Sequence, residues 1–111
     1  MTKFLALYMG DPGGAPAPQP DPATIQKGMA AWTRWMADHA SIVVDHGGPL
    51  GKTKKASKAG ITDTSNAVAG YVVVEAESHE AAAKLFLNHP HFAIFPGDSV
   101  QIMQVMPIPG S

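Results

Sequence analysis

None of the 111 residues is a cysteine, which excludes a disulfide framework, a thiolate nucleophile and a cysteine-based zinc site. Charge is scarce too: charged side chains make up 15% of the chain and the formal net charge is -1 at pH 7. So balanced a surface exerts no long-range pull on nucleic acid or an anionic membrane, and neither is expected as a partner. Long hydrophobic runs are also missing. The N-terminal "MTKFLALYMG" gives way to Asp11, which leaves it too short for a signal-peptide core with its cleavage site or for a membrane span. A cytoplasmic soluble protein is expected, as one domain over residues 1–111, because a chain this short builds a single core.

What remains is an ordinary globular composition, 45% hydrophobic with 11 glycines and 10 prolines, whose patterning is informative. Phe4 to Met9 ("FLALYM") is apolar on both alternating faces and reads as a buried strand, closed by Gly10-Asp11-Pro12. Prolines in Gly10 to Pro22 block helix and central strand, favouring an extended loop. From Ala23 to about His46 the apolar Ile25, Met29, Trp32, Met36 and Val43 recur at helical spacing, with Gly47 and Pro49 as the expected stop. His39 fills the missing step between Met36 and Val43, which puts an imidazole on the buried stripe. The polar segment Gly51 to Asn66 carries Lys52, Lys54, Lys55 and Lys58; a short edge strand is expected over Leu50 to Ser57, then a loop or second short strand around Ile61 to Thr64. Ala69 to Ser78 ("AGYVVVEAES") is the clearest strand. Ser78 then reads as an N-cap with Glu80 in the first turn, Pro90 as the end of that helix, and Ser99 to Met106 as a last strand.

The resulting order, βαββαβ, is that of a ferredoxin-like α+β sandwich with both helices on one sheet face. Yet the first, third and fourth strands are apolar on both faces, where a solvated face should alternate with polar residues. A second copy of the chain is the expected cover. The prediction is therefore a homodimer packed sheet face to sheet face, with room for a cavity between the sheets.

In this order and spacing, "KFLALYMG", "WTRWM", "GGPLG", "GYVVVEAESHEAA" and the final "SVQIMQVMP" resemble the YCII-related family, also called DGPF-domain proteins. The likeness runs from Lys3 to Pro107. It implies a dimeric α+β barrel and, because related members include a dehydrochlorinase of chlorinated aromatics and proteins with a proposed His–Asp dyad, small-molecule chemistry. The family's Asp-Gly-Pro-Phe signature is reduced here to Thr62-Asp63-Thr64-Ser65-Asn66, which keeps only the aspartate, and of the Asp-Pro after the second helix only Pro90 remains, in His89-Pro90.

The residues leave a short set of candidates. His39 reads either as a core histidine bonded to a backbone carbonyl or, if its stripe borders a cavity, as a general base oriented by Asp63. Asp63 is otherwise a turn residue. Trp35, at the margin of the stripe, is a candidate ligand platform, whereas Trp32 reads as core. His89 and His91 flank Pro90 as a helix terminus or as polar groups at a cavity mouth; two imidazoles alone do not make a metal site. No phosphate-binding loop and no Ser-His-Asp spacing is present. The expected activity is cofactor-free acid–base chemistry, of lyase or isomerase type, on a small molecule between the sheets. The alternative is a non-enzymatic module that binds a small ligand or is purely structural.

Overall fold

A computed structural model describes residues 1–16 and 18–110. The elements are β1 (Thr2–Met9), α1 (Pro22–Asp38), β2 (Val43–Pro49), β3 (Thr53–Ser57), β4 (Gly60–Thr64), β5 (Val68–Ala76), α2 (His79–Lys84), α3 (Pro90–Ala93) and β6 (Ser99–Gln104). The four long strands form an antiparallel sheet in the order β2-β5-β1-β6, and β3 and β4 pair separately as a hairpin. This is the ferredoxin-like α+β arrangement that was expected, but its edge strand is β2, drawn from the segment read as the end of the first helix, whereas the segment Leu50 to Ser57, expected at that edge, supplies β3 of the separate hairpin. Among the described residues no helix is long and apolar enough to cross a membrane.

Local chemistry explains most boundaries. Asp21 caps α1, accepting from the Thr24 N–H at 2.7 Å, and Pro22 supplies a first helical residue that needs no hydrogen bond. That backbone bond holds the Asp21 carboxyl below the usual carboxylate range. Ser78 caps α2 as expected, accepting from the Ala81 N–H at 3.1 Å, with Glu80 in the first turn.

Two boundaries differ from the sequence reading. The first helix stops at Asp38, with His39 as its C-cap, and does not continue to His46. The chain turns through residues 40–42 and Val43 begins β2, where its β-branched side chain and that of Val44 suit a pleated sheet. Val43 continued the helical spacing by coincidence. Gly47, expected as a helix stop, instead lies in an irregular part of β2: its φ is 62°, and a β-carbon there would run into the Tyr71 carbonyl. The second difference is at Pro90, which does not simply close α2. That helix ends at Lys84, Asn88 takes a left-handed φ of 58°, and Pro90 opens the one-turn helix α3 with His89 as its N-cap.

The core lies between the sheet and the helices. Phe4, Ala6 and Tyr8 of β1 and Val72, Val74 and Ala76 of β5 meet Trp35, Ala82 and Phe86 from the helical side. The opposite sheet face carries Leu5 and Leu7, which stay only partly covered. Leu5 sits between Val73 and Met103, and Leu7 between Tyr71 and Gln101, so this face has an apolar centre.

Candidate active site

An open cleft of about 370 Å³ lies at the end of the sheet where β1 finishes and β5 begins, between the strands and α1. Met29, Trp32 and Met36 of α1 form one wall. Tyr8, Gly70, Tyr71 and the end of β2, including His46 and Pro49, form the other, and His91 and Phe95 close the side next to α3. The site thus lies on the helix-covered side of the sheet. The sequence reading placed a cavity on the other face, between two sheets.

The cleft explains why the α1 stripe is rotated from its expected position. Met29 is 56% exposed and Trp32 half-buried because both overhang the opening, while Trp35 is 9% exposed at the centre of the core. Trp35, expected at the stripe margin as a ligand platform, donates from Nε1 to the Leu85 carbonyl at 3.1 Å and packs on Phe86. It does not line the cleft; Trp32, assigned to the core, does.

The polar side chains of the lining are two histidines, His46 and His91, and two phenols, Tyr8 and Tyr71. His91 is 8% exposed and donates from Nε2–H to the Met9 carbonyl at 2.8 Å. A carbonyl can only accept, so Nε2 carries a proton, and the uncharged tautomer compatible with this bond has its lone pair on Nδ1. Gly97 permits this placement, since a β-carbon there would overlap the His91 ring. Tyr8 is buried, its hydroxyl has no hydrogen-bond partner among the described residues, and burial pushes its phenol above the ordinary value. It therefore stays a proton donor at neutral pH.

Behind these two sits His89, fully buried, its Nδ1 accepting from the His91 N–H at 3.0 Å. Its ring packs against Tyr8 at 5.1 Å, Trp32 at 4.7 Å, Trp35 at 4.9 Å and Phe86 at 5.8 Å between centroids. Burial, helped by the nearby charges of His91 and His39, lowers its pKa to about 4. The imidazole is uncharged at neutral pH.

His39 stacks on Trp35 at 4.4 Å and donates from Nδ1–H to the Trp35 carbonyl at 2.8 Å, half-buried behind the tryptophan and outside the cleft lining. Asp63 is far more exposed, on the separate hairpin, where it pairs with Lys54 at 2.7 Å. The expected His39–Asp63 pair is therefore not assembled, because the hairpin turns the aspartate toward a lysine of its own ladder. His91, Tyr8, Trp32 and His46 border the cleft instead, and of these only His91 was a candidate from sequence. The one clue to Tyr8 in the sequence was a hydroxyl on the buried face of an apolar strand.

No family model matches the chain, and no curated protein does. Among solved structures it is similar to 5-chloro-2-hydroxyhydroquinone dehydrochlorinase (TftG) from Burkholderia phenoliruptrix AC1100, determined in complex with 2,5-dihydroxybenzoquinone. The TM-score is 0.56 at 18% identity, over 94% of this chain and 93% of that one. The likeness bears on the fold, and it agrees with the α+β arrangement described above.

Proposed function

We propose that the protein is a YCII-related, homodimeric enzyme of lyase or isomerase type that moves a proton on a small, planar, largely apolar molecule bearing a ring oxygen. The observation that carries this reading is the pairing, in one aromatic cleft, of an unpartnered un-ionised phenol with a histidine whose tautomer is fixed from behind. Trp32, Met29 and Phe95 offer flat and adaptable apolar walls. Once the side chains over its buried hydroxyl shift to admit a ligand, Tyr8 donates to the ring oxygen and steadies negative charge that develops there, while His91 Nδ1 accepts the proton. Among the described residues no Lys, Arg, Asp or Glu lines the cleft, so uncharged ligands are favoured over carboxylates. The dehydrochlorination named for the structural neighbour belongs to this reaction class.

The test is loss of HCl from 5-chloro-2-hydroxyhydroquinone, followed by chloride release, together with hydroquinone binding read from tryptophan emission. Turnover that falls at least a hundredfold in His91→Ala supports the enzyme reading. Retained turnover in His91→Ala with loss in His39→Ala and Asp63→Ala would move the base to the pair expected from sequence. Binding without turnover would leave a ligand-binding module, and no saturable change with either compound would remove the cleft from consideration.

A further inference from the structure

Among the described residues the most enclosed polar side chain, His89, has no part in the chemistry above. As an N-cap of α3 it does what a serine, aspartate or asparagine does in a smaller space. Its ring fills the gap between Tyr8, Trp32, Trp35 and Phe86, which a leucine or phenylalanine would fill without a stranded nitrogen. Nε2 is buried with no hydrogen-bond partner among the described residues. Neither capping nor filling alone calls for an imidazole. Doing both at once does, because one ring then bonds the main chain of His91 and packs on two of the cleft walls.

We propose that His89 is a positioning residue of the cleft: its uncharged ring ties the His91 main chain to the Tyr8 and Trp32 rings, so that the cleft holds its binding geometry only while His89 is neutral. This rests on the reading of the cleft as a small-molecule site. Nδ1 accepts the His91 N–H only when unprotonated; a proton there would set two donors against each other in a closed space. The ionisable groups facing His89 are Tyr8 from β1, His91 from α3 and His39 at the end of α1. Both histidines disfavour its charged form. The remaining neighbours, Trp32, Trp35 and Phe86, carry no ionisable group.

The experiment compares His89→Asn, which keeps a cap without the ring, with His89→Phe, which keeps a ring without the cap. Each should weaken hydroquinone binding to the full-length protein by about tenfold at pH 7 while the far-ultraviolet dichroism stays that of the parent. In His89→Asn the His91 amide resonance should keep its position and the Tyr8 ring resonances should move, and in His89→Phe the His91 amide should move. If folded variants lose thermal stability yet bind hydroquinone within twofold of the parent, His89 is a packing residue and the inference fails. Should neither variant fold, the parent protein decides it by NMR. The His91 amide and the Tyr8 ring should then follow one titration with the His89 ring, centred near pH 4, and separate midpoints would overturn the inference. That arm needs no ligand, so it stands even if hydroquinone does not bind the parent and the functional reading falls.

Discussion

Burial of the Tyr8 hydroxyl without a partner acts in opposite directions on stability and on binding. A buried polar group left unpaired costs roughly 1–3 kcal/mol, so Tyr8→Phe should raise the unfolding free energy by about 1 kcal/mol in urea titration. The same substitution should weaken hydroquinone binding by about tenfold, one hydrogen bond to a ring oxygen being worth about that factor. A loss of stability would mean that the hydroxyl is bonded in the free protein. His89 gives a second measurable sign. Its pKa is lowered from 6.5 to about 4 by burial and by the charges of His91 and His39. The unfolded chain therefore takes up the proton first as pH falls. Stability from this group is complete above about pH 6.5 and declines until the folded-state value near 4 is passed. At ~1.4 kcal/mol per unit the loss amounts to about 3 kcal/mol. Denaturation at pH 7, 5.5 and 4.5 should show it, and His89→Asn should flatten it.

At the scale of elements, the sequence was legible where side-chain chemistry and periodicity agreed. β1 and β5 follow from apolar and β-branched runs, and the α2 start follows from Ser78 and Glu80. They disagreed around residues 39–49. Val43 extended the spacing of Ile25, Met29 and Met36, while the neighbouring Val43-Val44 pair favoured a strand, and pairing with β5 decided the matter. The glycines there fitted either reading, since a left-handed residue can end a helix or let a strand bulge. Gly47→Ala separates these roles: with φ at 62° and the Tyr71 carbonyl in the way, it should cost about 2–3 kcal/mol. Gly48→Ala, whose β-carbon would meet open space, should stay within about 0.5 kcal/mol of the parent. Thermal or urea unfolding of the two variants checks both. The same boundary error hid the site. Once α1 was read as continuing past Asp38, His39 stood on a buried stripe, whereas the actual C-cap leaves it behind Trp35. Apart from Phe86, the ring neighbours of the histidines around Pro90 come from β1, α1 and the Phe95 segment, through contacts that no local pattern encodes.

For the molecule as a whole, one sheet face is covered by helices and the other is not, although both are apolar at their centres. This was legible from sequence because strands with one wet face alternate, and β1, β5 and β6 do not. The location of the cleft was not, since its walls come from five elements, β1, α1, β2, β5 and α3, brought together by the fold. Leu5, Leu7 and Val73 are only partly covered and Met103 is 41% exposed, a cluster that becomes favourable once removed from water at about 25 cal/mol per Å² of apolar surface. Lys3 and Glu75, paired across the strands near one end, supply a charged margin. Such a centre and margin suit a self-complementary interface about a twofold axis. Leu7→Lys places a charge in that centre on a side chain that points away from the helix-covered core, so the fold should survive. Sedimentation at micromolar concentration should give a dimer for the parent chain and a monomer for Leu7→Lys with unchanged dichroism. A monomeric parent would leave the apolar face without the cover proposed for it, and a dimeric Leu7→Lys would place the interface elsewhere.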